Sequence, residues 1–127
     1  MEQAEIKIID LDEEKTARPD SGKDVYDCYL TLSSEAPAEW AKLFEQRRQF
    51  PRHTSWRRAY AEGPYIVIRC ALEELPRHLE DLKEDVAITN QQYRQYLAKR
   101  EQEEEERRQR EARERERVKE IKRRLQF

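Results

Sequence analysis

From Lys99 to Arg117 the chain holds no apolar residue larger than alanine, and no Gly or Pro. Such a stretch has nothing to bury, so it cannot join a core, and its composition of strong helix formers leaves a solvated helix as its regular structure. Carboxylates precede cations by four residues at Glu103/Arg107, Glu104/Arg108, Glu106/Arg110, Glu111/Arg115 and Glu120/Arg124, the favoured orientation. Each pair contributes only a few tenths of a kcal/mol, but a ladder of them can hold a helix in water. The rest of the chain must therefore supply the fold.

It has the means to do so. Leu, Ile, Val and Phe number 24 of 127 residues, a low share, but only Val118, Ile121, Leu125 and Phe127 of these follow Ala98. The first 97 residues are thus expected to form one small domain, 1–97, followed by a Glu/Arg-rich helical extension, 98–127. Charge divides similarly: residues 1–90 carry 13 Lys+Arg against 19 Asp+Glu, while residues 91–127 carry 13 against 9. An acidic head and a basic tail favour head-to-tail contact and let the tail approach acidic partners.

Period-two patterns mark strands. Residues 5–11 alternate loosely and end in a polar stretch with the turn signal Pro19-Asp20-Ser21-Gly22. Residues 25–32 place Tyr26, Cys28, Leu30 and Leu32 on one face and Asp27, Tyr29 and Thr31 on the other. Ser33-Ser34-Glu35-Ala36-Pro37 reads as a helix start with capping hydroxyls, leading into a helix with Trp40, Leu43 and Phe44 on one face and Arg47 and Arg48 near its end. Residues 55–61 and 65–70, joined by Glu62-Gly63-Pro64, predict a hairpin whose second, more apolar strand is the more central.

From Leu72 the period becomes helical. Leu72, Leu75, Leu79, Leu82, Val86, Thr89, Tyr93 and Tyr96 step by three and four, forming a packed seam. Thr89 and Gln92 match a capping box, so a break there is the alternative to one continuous helix. Continued past Ala98, the seam meets Arg100, Glu103, Arg107, Arg110, Glu114 and Arg117, which does not support a sustained hydrophobic coiled coil. The predicted order β-β-α-β-β-α is that of a small two-layer α+β domain, an antiparallel sheet with helices on one face and a long charged C-terminal helix.

Chemistry-bearing patterns are sparse. Arg47, Arg48, Arg52, His53, Trp56, Arg57, Arg58 and Tyr60 interleave cations with rings, the combination that grips phosphates and stacks bases in single-stranded nucleic acid. His53 and His78 are not in metal-ligand spacing with Cys28 or Cys70, and those two cysteines read as reduced core residues, a disulfide between them being the alternative if their strands are neighbours. Glu74 and His78 stand one helical turn apart, a pair common on solvated helices, and Asp10, Asp12, Glu13 and Glu14 lack a cation-loop spacing. No phosphate loop, nucleophile elbow or metalloprotease motif is present, and two glycines leave little for a phosphate cradle.

The sequence thus predicts a non-enzymatic interaction or assembly module without cofactor, catalytic residue or metal. It is expected to be cytoplasmic and off the membrane, since no apolar run approaches bilayer length and the first residues are acidic. Its expected interface comprises Leu82, Val86, Tyr93, Tyr96, Leu97, Val118, Ile121, Leu125 and Phe127, engaging a protein partner or a second copy as a dimer. The alternative is a nucleic-acid-binding protein using the cluster at 47–60.

Overall fold

A computed structural model describes residues 5–20 and 22–127. The elements are β1 (Ile8–Leu11), β2 (Tyr26–Leu32), α1 (Ala38–Arg48), β3 (Ala59–Glu62), β4 (Tyr65–Cys70), a single 3₁₀ turn (Leu72–Glu74) and α2 (Leu75–Arg124). The four strands form one antiparallel sheet in the order β1-β2-β4-β3. The most β-prone run, β4, is central and the more polar β3 takes an edge, as the sequence predicts. Among the described residues Ser21 of the predicted turn is not included; its neighbours close through Asp20, whose Oδ1 accepts the Gly22 N–H at 3.0 Å.

Period two decides the faces. Cys28, Leu30 and Leu32 of β2 and Ile66, Ile68 and Cys70 of β4 are buried on the side that meets Trp40 and Phe44 of α1 and Leu82 and Val86 of α2. The Trp40 and Phe44 rings stack with centroids 5.6 Å apart. On the opposite face a loop replaces a helix layer. Tyr29 donates its N–H to Thr16 Oγ1 at 3.0 Å, and Lys15 Nζ lies 4.9 Å from the Tyr29 ring and 4.7 Å from that of Tyr65. Asp12 ties this loop down by accepting the Tyr65 hydroxyl at 2.9 Å and the N–H groups of Glu14 and Lys15.

Three local expectations need correction. The hydroxyls of residues 33–34 do not cap α1: the helix starts after Pro37 without a side-chain cap, and Ser33 Oγ instead accepts the Lys7 N–H at 2.9 Å, stitching the chain after β2 to the β1 side. The first hairpin strand is only Ala59–Glu62, because residues 55–58 are drawn into packing against the end of α1. Strand β1 is also shorter than predicted; Ile6 is buried ahead of it but is held by a side chain of α2 and not by a strand neighbour. Gly63, at φ +56°, begins the two-residue β3–β4 turn, where a positive φ matches the twist of the paired strands.

Helix α2 runs unbroken through residues 89–92. Thr89 Oγ1–H donates back to the Asp85 carbonyl at 2.7 Å, a bond made within a helix, and does not act as a cap. The chain divides into two compact units, Met1–Tyr93 and Arg94–Phe127.

Candidate interaction surfaces

The cluster at 47–60 folds around a carboxylate that the sequence reading passed over. Asp85 is wholly buried, and Arg47 Nε–H, Arg48 Nη1–H and Arg52 Nη2–H donate to its oxygens at 2.6, 2.8 and 2.7 Å. Arg48 is itself 1% exposed. Its guanidinium lies 3.6 Å from the Trp56 ring centre and also donates to the Arg57 carbonyl. Burial pushes this guanidinium below its usual pKa, and the hydrogen bond from Arg48 to Asp85 opposes that shift. Trp56 returns the contact by donating its indole N–H to the Arg48 carbonyl at 3.0 Å.

The periphery is paired as well. His53 Nε2 is 2.8 Å from Asp81 Oδ2, and Arg57 Nη2 is 3.6 Å from Glu74 Oε2. Glu74 also meets His78 Nε2 at 3.2 Å, and that bond, ahead of the Arg57 charge, holds Glu74 below the ordinary carboxylate range. His78 is 0% exposed, which corrects the expectation of a solvated Glu/His pair. Of the eight predicted nucleic-acid residues, Arg47, Arg48 and Arg52 share one buried anion, although Arg52, like His53, Arg58 and Tyr60, is exposed. A cation already in a carboxylate pair offers a phosphate less, because a bond must be exchanged and not gained.

A second polar anchor was also missed. Asn90 accepts the Ile6 N–H at 3.3 Å and the Trp40 indole N–H at 2.9 Å on Oδ1, and its amide donates to the Ile6 carbonyl at 2.8 Å. One side chain thereby joins the N-terminal segment, α1 and α2. A signal for Asp85 existed. Asp85 lies three residues after Leu82 and four before Thr89, so the helical period itself puts it on the covered face.

The predicted interface residues separate. Leu82 and Val86 are 0% and 3% exposed inside the core, so they have no surface for a partner, a correction that follows from the sheet's need for a covering helix. Tyr93, Tyr96 and Leu97 are half-buried. Val118, Ile121, Leu125 and Phe127 are exposed by 69, 52, 54 and 107%. The first three share one exposed face of the helix with Glu114, Arg117 and Lys122.

Cys28 and Cys70 are free, buried thiols on neighbouring strands, offset diagonally because Cys28 is opposite Ile68 and Tyr26 is opposite Cys70. A hydrogen bond between the two thiol groups pushes the pKa of Cys28 up and that of Cys70 down. Asp12 is held below the usual carboxylate range by the Lys15 N–H and then by the Tyr65 hydroxyl. Among the described residues no group of His, Cys, Asp and Glu is arranged to hold a metal ion, and no helix is long and apolar enough to cross a membrane. Searches against known families, curated proteins and solved structures return no match for this chain.

Proposed function

We propose that this protein is a non-enzymatic interaction module that self-associates through its C-terminal unit. The observation that carries the reading is the stripe Val118, Ile121 and Leu125, spaced by three and four on a stretch whose other residues are almost all charged or polar. Scattered exposed apolar residues are ordinary; three on one helical face, followed by Phe127, gain free energy only when covered. A spacer helix kept in solution by its charges has no use for them. The internal pairing of the 47–60 arginines supports a structural role for that cluster over the nucleic-acid reading.

Light scattering over a concentration series tests the reading. The expected mass rises from 15.5 kDa toward twice that value, and Val118→Glu with Ile121→Glu restores the monomer while the helical circular dichroism is retained. A mass that stays monomeric at high concentration, or an association indifferent to the double substitution, would overturn it.

A further inference from the structure

The charge on unit Arg94–Phe127 is strongly polarised along its axis. Residues 101–106 carry five carboxylates and no cation, whereas residues 107–124 carry ten cations and four carboxylates. All of these side chains are exposed. Local pairs, such as Arg108 with Glu105 at 2.7 Å and Arg124 with Glu120 at 2.9 Å, bind neighbours on the same helix and leave the imbalance between the two blocks in place.

Resting on the self-association reading, we propose that two copies pair this helix antiparallel, with Leu97 of one copy opposite Ile121 of the other. The steps 97, 100, 104, 107, 111, 114, 118, 121 and 125 alternate by three and four, so both apolar ends lie on one stripe with charged residues between. Apolar ends meet apolar ends in either direction of pairing, so hydrophobic burial does not choose the direction. Charge does. A parallel, in-register pair lays five carboxylates on five carboxylates and the cationic block on itself. The antiparallel pair lays residues 101–106 over residues 112–117, where Arg113, Arg115 and Arg117 outnumber Glu114 and Glu116: Glu101, Glu103 and Glu105 then face arginines while Glu104 faces Glu114, less repulsion than like on like throughout, and the two helix dipoles are also opposed.

Distance measurement between nitroxide spin labels tests the direction in the full-length protein. Gln109→Cys and Arg123→Cys are labelled separately; the native cysteines are buried in the sheet. Gln109 sits at the centre of the proposed pairing, so its two labels come within about 30 Å whichever way the helices run. Arg123 is 14 residues from that centre, so antiparallel pairing separates its labels by more than about 40 Å, at about 1.5 Å of rise per residue. A short distance at both positions means parallel pairing and overturns the inference while leaving self-association standing. A dimeric mass without a short distance at 109 overturns it too. A monomeric mass with no coupling at 109 removes the reading beneath it.

Discussion

The two units use charge in opposite ways. In Met1–Tyr93 one carboxylate, Asp85, is sealed from water and takes three arginines from α1 and the segment after it. In Arg94–Phe127 the pairs are one helical turn apart and open to solvent, as at Arg100 and Glu104, 3.8 Å apart with side chains 61 and 50% exposed. The first arrangement fixes which elements meet, because a buried charge without its partners is far more costly than a misplaced leucine. The second fixes almost nothing beyond the helix itself, because water replaces either partner at little cost. Charge content by itself therefore says little about what charge does in a chain; burial decides.

Breaking Asp85 is the strongest test of that contrast. Asp85→Ala leaves Arg48 buried without its carboxylate and is expected to lower unfolding stability by about 3–5 kcal/mol in urea titration. A loss under about 1 kcal/mol would mean that the arginines simply turn to water, and the two units would then differ less than their geometry implies.

Asn90→Ala should cost less, about 1–3 kcal/mol, since it orphans neutral groups, the Ile6 backbone and the Trp40 indole, in place of a charge. The same urea titration measures it, and Trp40 fluorescence reports the lost indole bond. An unchanged midpoint would show that water takes over the clamp.

The smallest effect belongs to the exposed helix. Glu120→Gln removes the pair with Arg124 and is expected to change helix stability by less than about 0.5 kcal/mol, read as a slight loss of ellipticity that salt abolishes. A loss comparable to that of Asn90→Ala would place Glu120 in a contact beyond its own helix, as self-association through this unit would provide.

Much of the fold was legible because apolar periodicity records which face is covered. Residues 25–32 alternate, residues 65–70 are the most β-prone and apolar run, and Leu75, Leu79, Leu82 and Val86 step by three and four, so two central strands and the course of α2 followed directly. Residues 55–58 misled because Trp56 resembles a strand residue, whereas its ring serves as a platform for Arg48. The candidate sites were less legible. Reading 47–60 as a free cationic surface required knowing that no carboxylate folds onto it, and Asp85 is 33 to 38 residues away in sequence.

By itself, then, the sequence determined that residues 99–117 add nothing to a core and favour a helix, and that the residues before them make a sheet covered on one face, because both follow from how much apolar surface each segment can bury and at what period. Only the tertiary structure decided that Asp85, Asn90 and His78 are interior, that three arginines of the basic cluster are joined to one buried anion, and that Leu82 and Val86 have no free surface. Those facts depend on long-range partners: the helical period puts Asp85 on the covered face of α2, but whether a polar residue there is sealed in is set by whether groups distant in sequence arrive to satisfy it.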